Sequence, residues 1–386
     1  MTLSSPAFSL DDIYTRDEGR AFMTGIQALV RLPMSQRRRD RGLGLSTAGL
    51  ISGYRGSPLG AYDQQLWRAQ KHLADHDVVF QPGLNEDLAA TALWGAQMHR
   101  AFGATRVDGV FGVWYGKGPG VDRSGDAFRS ANIIGTAALG GVLAVAGDDH
   151  AAQSSMFPHQ TDLIFQSVSM PVLQPADVAD ILRLGAAGIA LSRYSGLWVA
   201  MKTVAEVVES AGVVDLAPVG EPRTPTAVLP PHGLNWDPGL AWPGQRAELE
   251  RRLLEERLPA ARAWASANRI DRPVIDARAK QLCIVTTGKA HQDVLQALED
   301  LGLDPADASD LGVCLYQVAM TWPLGLDDLM AFAAGAGEIL VVEEKQPIVE
   351  DQLKAGLFNY PAARRPRVTG KTGSLAEHPA SSSARR

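Results

Sequence analysis

The feature that most constrains this chain is a regular alternation of short apolar runs and longer segments of helical period between residues 42 and 202. Each apolar run ends in a glycine-rich or polar turn, a pattern typical of a mostly parallel α/β sheet. The predicted strands are Gly49–Tyr54, Val78–Gln81, Gly109–Tyr115, Gly141–Ala146, Val172–Leu173 and Leu197–Lys202. The predicted helices are Thr15–Arg31, Tyr62–Leu73, Glu86–Phe102, Gly125–Ala138, His159–Ser167 and Pro175–Ser192.

A change in composition divides the chain after residue 216. Seven prolines between Ala217 and Gln245 interrupt any regular element, which predicts a connector. An amphipathic helix follows over Arg246–Asn268, with Pro259 expected to kink or end its first part. A second α/β pattern then predicts strands over Gln281–Thr286, Gly312–Gln317 and Glu338–Glu343. We therefore predict a first domain over 1–216, a connector and helix over 217–275, a smaller α/β domain over 276–360 and a disordered tail over 361–386.

Charge and composition exclude several classes of protein. The net charge of -6 is small for 386 residues and gives no basic surface for nucleic acid. The one dense basic run, Arg37 to Arg41, is predicted to be a solvated helix end or loop rather than an anion site. No apolar stretch has the length of a signal peptide or a membrane span, so we expect a cytoplasmic protein. Cys283 and Cys314 lie in apolar runs typical of buried thiols, and two separated cysteines do not supply an iron–sulfur cluster.

Four polar clusters follow predicted strands, where open parallel sheets place their ligands. The first is Y-R-G-S-P-L-G over 54–60, in which Arg55 could meet an anion and Ser57 could cap a helix. The second is Q-P-G-L-N-E-D over 81–87, in which Asn85 is a good N-cap and Glu86 is favoured by the helix dipole. Both clusters are also explained as ordinary strand–turn–helix junctions. A carboxylate at this position could, however, exchange a proton with a heterocyclic nitrogen.

The other two clusters suggest an anion site and, more weakly, a metal site. W-Y-G-K-G-P-G-V-D-R-S-G-D over 114–126 combines exposed backbone N–H groups with Lys117 and Arg123, although a flexible surface loop remains an alternative. G-D-D-H-A-A-Q-S-S over 147–155 contains Asp148, and His159 lies behind it. A loop with a helix cap explains these residues better than metal binding does, so no metal ligand is predicted.

These four clusters, in this order, resemble the pyrimidine-binding domain of 2-oxoacid:ferredoxin oxidoreductases, in particular the large fused indolepyruvate ferredoxin oxidoreductases of bacteria. The likeness continues to V-V-E-E-K-Q-P over 341–347, which resembles the end of the family's transketolase C-terminal-like domain. The resemblance implies a thiamine-diphosphate enzyme fold, with a pyrimidine-binding parallel sheet flanked by helices, followed by the smaller α/β domain.

The resemblance also implies roles for individual residues. Glu86 corresponds to the glutamate that hydrogen-bonds N1′ of the cofactor's aminopyrimidine and promotes loss of the C2 proton. Ser57 and Pro58 are expected to bind the same cofactor, and Arg55, Lys117 and Asp148 to lie in the substrate pocket or at the subunit boundary. The family oxidatively decarboxylates 2-oxoacids to acyl-coenzyme A and passes electrons through iron–sulfur clusters to ferredoxin.

One family feature is missing from the sequence. The diphosphate and Mg²⁺ are held in such enzymes by G-D-G or G-D-S, followed some twenty-five to thirty residues later by Asn. Gly147-Asp148-Asp149 fails this pattern because the next asparagine is Asn235. We therefore expect an incomplete N-terminal part whose diphosphate, Mg²⁺ and iron–sulfur sites lie elsewhere, within a homo- or hetero-oligomer. A noncatalytic partner subunit and a different thiamine-diphosphate enzyme, related to acetolactate synthase or transketolase, remain alternatives.

Overall fold

The computed structural model describes residues 9–103, 105–150, 154–217, 220–226, 229–240 and 244–372. These residues form three sheets and a set of surrounding helices. The strands are β1 Arg20–Thr24, β2 Thr47–Gly53, β3 Val78–Phe80, β4 Gly109–Lys117, β5 Val142–Asp148, β6 Val172–Leu173, β7 Val199–Val204, β8 Ala211–Asp215, β9 Arg272–Ile275, β10 Leu282–Thr287, β11 Val313–Val318, β12 Met320–Trp322, β13 Glu338–Val342 and β14 Arg367–Thr369.

The α-helices alternate with these strands over most of the described chain. They are α1 Asp12–Thr15, α2 Gly25–Gly42, α3 Tyr62–Arg68, α4 Gln70–Asp75, α5 Glu86–Gln97, α6 Gly118–Arg123, α7 Gly125–Ile134, α8 Asp162–Ser167, α9 Val178–Ser195, α10 Ala205–Val208, α11 Arg246–Arg251, α12 Leu258–Ala267, α13 Lys289–Asp300, α14 Pro305–Asp310, α15 Leu326–Phe332 and α16 Val349–Leu357. A π-helical stretch, Arg252–Arg257, joins α11 to α12 directly before Pro259, whose missing N–H interrupts the regular ladder. No helix among the described residues is long and apolar enough to cross a bilayer.

The large sheet has seven strands in the order β12-β6-β7-β5-β4-β2-β3, and all neighbours except β12 and β6 are parallel. Successive side chains point to opposite faces. Phe111, Val113 and Tyr115 of β4 therefore enter the core cluster that includes α2 and α9, whereas Trp114 enters the cluster that includes α5 and α7. This doubly covered parallel sheet confirms the predicted α/β class.

The second sheet has five strands in the order β14-β13-β10-β11-β9 and is parallel except at β9. Cys283 and Cys314 are buried, free and opposite each other on β10 and β11. The predicted tail begins too early, because β14 (367–369) pairs with β13 and completes this sheet. The rest of the predicted tail, 373–386, lies outside the described residues. The predicted connector, 217–275, likewise ends in β9, a strand of the second sheet.

One strand joins the two units. The chain leaves the second sheet at the end of β11 and immediately forms β12, which pairs with β6 of the large sheet. Asp271 fixes this crossing, since one of its carboxylate oxygens accepts the N–H groups of Ala319 and Met320 at 2.7 and 2.8 Å. The second unit is thus hydrogen-bonded into the sheet of the first.

The predicted helix over Thr15–Arg31 is wrong in its first half. Arg20–Thr24 forms β1, which pairs with the distant β8, and the helix begins only after Thr24. The side chains of Thr24 and Gln27 form a reciprocal capping box that fixes this start.

The basic run on α2 is not a solvated helix end. Arg37 is buried and pairs with Asp77 at 3.0 Å. Arg38 pairs with Asp17 at 2.6 Å, and Arg39 with Glu221 at 3.0 Å. The run forms contacts to three separate segments, which a local pattern of charges does not reveal.

Candidate functional site

The four polar clusters meet at one edge of the large sheet. They follow β2, β3, β4 and β5, which are parallel and adjacent in the order β5-β4-β2-β3. The carboxyl ends of adjacent parallel strands lie side by side, which is where open α/β sheets form ligand crevices. Residues that the sequence separates by almost a hundred positions are therefore brought into contact.

Glu86 is the first residue of α5 at this edge. The Asn85 side chain caps the helix by accepting the N–H of Leu88 at 2.8 Å. The carbonyl of Glu86 accepts the indole N–H of Trp114 at 3.0 Å, which ties the start of α5 to β4. Glu86 is only 6% exposed. Both contacts are local consequences of an N-cap and a buried strand, and together they fix the position of the carboxylate.

Two glycines make room for the Glu86 side chain. A Cβ at Gly120 would lie 2.5 Å from Cγ and 2.7 Å from Oε1 of Glu86, and one at Gly116 would lie 3.3 Å from Cγ. Arg123, at the end of the same short helix α6, places Nη1 at 3.9 Å from Oε2 of Glu86 while remaining 59% exposed. The carboxylate thus sits against glycine backbone with a cation beside it, an arrangement suited to holding a planar nitrogen heterocycle.

The Ser57–Pro58 turn contacts the loops that follow β4 and β5. The Ser57 N–H donates to Oγ of Ser154 at 3.0 Å, and Pro58 packs against Gly147, where a Cβ would meet Cδ of the proline at 2.8 Å. Lys117 covers Gly56 and donates from Nζ to the carbonyl of Ser154 at 3.2 Å. Arg55 is exposed. The structure therefore brings Ser57, Pro58 and Lys117 together, with Arg55 on the surface beside them.

Asp148 lies inside the protein rather than at its surface. It is fully buried at the end of β5, and its Oδ2 accepts the N–H and the hydroxyl of Thr161 at 2.9 and 3.1 Å. Lys202 of β7, 2% exposed, lies 3.9 Å from Asp148 and 2.7 Å from Asp162. Burial raises the pKa of Asp148, and Lys202 opposes this effect. Asp148 therefore anchors the loop before α8, and its Oδ1 has no hydrogen-bond partner among the described residues.

His159 sits between this buried network and the Glu86 helix. Its ring covers Gly118, where a Cβ would come within 2.4 Å, and its Nε2 lies 2.8 Å from Asp122. The described residues contain no group of three or more His, Cys, Asp or Glu that could hold a metal ion. Ala151, Ala152 and Gln153 of the fourth cluster lie outside the described residues.

The second unit also reaches this edge, through the loop after β13. Lys345 donates to the carbonyl of His159 at 2.8 Å, and Glu344 lies 3.5 Å from His150. Glu343 has a different role: its carboxylate accepts the N–H groups of Ile348, Val349 and Glu350 and so caps α16. The V-V-E-E-K-Q-P motif thus combines a helix cap with contacts to the large sheet.

Four residues at this edge make contacts that the sequence did not predict: Arg123, Lys202, Glu344 and Lys345. Of these four, Lys202 could have been found from the sequence. It lies inside the apolar run V-A-M-K-T-V, and a charge in a buried strand requires a buried partner. The contacts of the other three depend on tertiary structure and leave no local pattern.

Solved structures of known proteins share this fold. Over 92% of the chain, it matches a 2-oxoglutarate:ferredoxin oxidoreductase from Magnetococcus marinus at a TM-score of 0.57 and 16% identity, covering 62% of that chain. Over 90% of the chain, it matches a split-gene transketolase described as an inactive β4 tetramer at a TM-score of 0.52 and 14% identity, covering 88% of that chain. The fold is therefore the α/β fold shared by 2-oxoacid oxidoreductases and transketolases.

Comparison with known sequences shows more specifically which proteins of this fold the chain resembles. Residues 271–383 match the family model of the indolepyruvate ferredoxin oxidoreductase middle domain. The chain is 25% identical over 348 residues to indolepyruvate oxidoreductase subunit IorA of Methanothermobacter thermautotrophicus, a match that covers 90% of this chain and 50% of that protein. The chain is thus similar to the indolepyruvate ferredoxin oxidoreductases, in agreement with the resemblance of its four motifs, and it spans about half the length of the IorA protein it matches.

Proposed function

We propose that this chain supplies the pyrimidine-binding half of a thiamine-diphosphate site in an indolepyruvate-type 2-oxoacid:ferredoxin oxidoreductase. The observation that carries the proposal is the buried Glu86 carboxylate, held against Gly120 at the edge where four motif loops meet. In this proposal residues 1–216 form the pyrimidine-binding domain and residues 276–360 the transketolase C-terminal-like domain. The connector 217–275 joins them.

The residues at this edge fit an aminopyrimidine. Glu86 would hold N1′ of the ring and share a proton with it, and the missing side chain of Gly120 leaves the space in which the Glu86 carboxylate lies. Ser57 and Pro58 would contact the same ring from the β2 loop. When bound, thiamine diphosphate would supply a nucleophilic carbon for the 2-oxoacid and an electron sink for its decarboxylation. Arg55 and Lys117 would attract the anionic 2-oxoacid.

The diphosphate and Mg²⁺ would be held by a second polypeptide segment, which makes the site shared and the chain inactive alone. The resemblance to a split-gene transketolase described as inactive supports this part of the proposal. Ferredoxin and an aryl 2-oxoacid such as indolepyruvate are proposed from the names of the similar proteins, and coenzyme A from the 2-oxoglutarate:ferredoxin oxidoreductase. Iron–sulfur clusters are proposed from the resemblance of the four motifs alone.

A direct test uses 4-amino-5-hydroxymethyl-2-methylpyrimidine, the ring part of the cofactor, which needs no diphosphate site. We expect weak saturable binding to the isolated chain by NMR titration, and a loss of about tenfold or more in affinity in Glu86→Gln. The matched control is Asp87→Asn, which removes the same charge one residue further along α5. Equal effects of the two substitutions would contradict the assigned role of Glu86.

A second test addresses the shared site. The chain alone should not bind thiamine diphosphate in a Mg²⁺-dependent way, and such binding measured by calorimetry would rule out the incomplete-site proposal. Adding a chain that carries the diphosphate-binding domain should produce 2-oxoacid-dependent dye reduction, which Glu86→Gln abolishes. Pyrimidine binding without any turnover in that mixture would favour the alternative function, a noncatalytic partner that keeps the fold.

A further inference from the structure

Two adjoining cavities lie over helices α2 and α9, on the face of the large sheet opposite to α5. Their volumes are about 600 and 380 Å³. No residue of the four motif clusters lines either of them. The two cavities share five lining residues, which mark the place where they meet: Arg39, Arg183, Ala186, Glu221 and Arg272. We call this double cavity the arginine cleft.

Positive charge dominates the meeting point. Arg39 of α2, Arg183 of α9 and Arg272 at the start of β9 line both cavities, so three separate elements contribute an arginine to the place where they meet. The one carboxylate lining both cavities is Glu221, which belongs to the connector. Glu221 pairs with Arg39 at 3.0 Å but is 68% exposed, so water can readily replace this partner.

The guanidinium groups retain free donors. Arg183 donates from Nε to Asp180 at 2.8 Å, whereas its Nη2 is buried and has no partner among the described residues. Arg272 donates from Nε to the Gln317 side chain at 2.8 Å. A buried donor without a partner is rare and calls for a ligand, an ion or water at that position. Arg183 also donates from Nη1 to the carbonyl of Ile270 at 3.5 Å. Arg183 and Arg272 thus line both cavities with guanidinium groups that are not fully hydrogen-bonded, and such groups suit the oxygens of a phosphate.

The acidic residues of the larger cavity offset part of this positive charge. Asp17 pairs with Arg38 at 2.6 Å, and Asp180 accepts from Arg183. Asp177 caps α9 and accepts from Gln292, while Asp215 accepts the N–H of Ala217. Together the two cavities are lined by seven arginines and five carboxylates, so an excess of positive charge remains in the cleft.

The larger cavity also has apolar walls. Leu32, Leu182, Val214 and Leu216 contribute to its lining, together with several alanines. A cavity of this volume, mainly apolar with a few convergent polar groups, has the size and character of a site for an organic molecule. A bare inorganic ion would leave that surface unused.

We propose that the arginine cleft binds an organic phosphate. Its phosphate groups lie at Arg39, Arg183 and Arg272, displacing Glu221, and its apolar part lies on the floor between α2 and α9. The site is independent of Glu86 and of the cofactor assignment above.

Calorimetric titration of the full chain with ADP, pyrophosphate and adenosine tests this proposal. ADP should bind more tightly than pyrophosphate, and adenosine more weakly than either, because the phosphates supply most of the affinity. Arg272→Gln and Arg183→Gln should each weaken ADP binding about tenfold, the usual effect of losing one charge-assisted contact. Glu221→Gln should strengthen binding, because it removes the carboxylate that competes for Arg39.

Arg278→Gln is the matched control, since Arg278 is exposed and lines neither cavity. Its ADP affinity should equal that of the unmodified chain, as should that of Glu86→Gln. Circular dichroism verifies folding, and Arg272→Gln remains informative if Arg183→Gln is unstable, since Arg272 is exposed. Absence of ADP binding, equal binding of ADP and adenosine, or equal losses in Arg272→Gln and Arg278→Gln would overturn the proposal.

Discussion

The two parallel sheets use their carboxyl edges in different ways. At the edge of the large sheet, glycine-rich loops leave Glu86 against open backbone, with Arg123 at its side. At the edge of the five-stranded sheet, the strands end in contacts with the first unit. Thr287 donates to the Gln174 side chain at 3.3 Å, and the absence of a Cβ at Gly288 accommodates the same glutamine.

The difference shows that a strand end alone does not make a ligand site. Both edges have the topology that favours ligand binding. The second edge is occupied, since β11 continues into β12 of the large sheet and the loop after β13 contacts the His159 carbonyl through Lys345. The two edges differ in the space around a buried carboxylate: at the first edge, the missing side chain of Gly120 leaves space for the carboxylate of Glu86. The following predictions test this contrast.

Lys202→Met should have the largest effect on the free energy of unfolding, because it removes a buried cation from the first edge. Asp148 and Asp162 would be left without their charge partner in a buried site. Breaking a buried pair in this way usually costs about 3 to 5 kcal/mol of unfolding free energy. Urea denaturation measures the change. Lys71→Met, at an exposed position of α4, should change stability by less than about 0.5 kcal/mol; equal effects would show that the buried network contributes nothing.

The pH dependence of stability tests the contacts that Asp271 makes at the occupied edge. Burial raises its pKa from 3.8 to about 6, although the N–H groups of Met320 and Ala319 oppose the shift. Between pH 4 and 6 the unfolded chain loses this proton while the folded chain keeps it, so rising pH lowers stability. The loss is complete above pH 6 and amounts to about 3 kcal/mol.

Asp271→Asn keeps an acceptor for both N–H groups but has no proton to lose. Unfolding by urea at pH 4, 5, 6 and 7 should therefore show the unmodified protein weakening relative to this variant across that window. Parallel pH profiles of the two proteins would disprove the titration of Asp271.

Gly120→Ala should fill the space at the first edge that the Glu86 side chain now occupies. The new methyl would lie 2.5 Å from Cγ of Glu86 and push the carboxylate away. We expect loss of binding of the pyrimidine alcohol, at a stability cost of about 1 to 3 kcal/mol. Gly125→Ala is the control, since nothing lies within 4 Å of its Cβ position and alanine favours the helix α7. Retained pyrimidine binding in Gly120→Ala would refute the requirement for space.

The sequence was sufficient to predict six of the seven strands of the large sheet, all but β12, and the position of Glu86 at the start of α5, because these follow from local patterns. Apolar runs ending in glycine mark β2, β4 and β5, and Asn85 marks the start of α5. The neighbours of Glu86 followed from topology, since parallel strands place their ends together.

What the sequence could not predict depends on pairing between distant segments. β1 was predicted as helix because its partner β8 lies nearly two hundred residues away, and the polar residues around it imitate a helix start. Asp148 was predicted to lie in a pocket, yet it is buried by contacts with Thr161 and Lys202 from later elements. Such contacts override local propensity and leave no periodic trace.

Lys345→Met should have the smallest effect and tests whether the occupied edge supports the open one. The substitution removes the bond from Nζ to the His159 carbonyl, which is worth about 1 kcal/mol. His159 covers Gly118 at the start of α6, the helix that contacts Glu86 through Gly120. The amide signals of Gly118 and His159 should therefore shift in NMR spectra. The signals of α14, which packs against β11 and β9 of the second unit, should stay unchanged. Lys289→Met, which removes an exposed pair with Asp293, is the matched control. If both variants leave the signals of Gly118 and His159 in place, the two edges are independent, and the open edge owes its geometry to the large sheet alone.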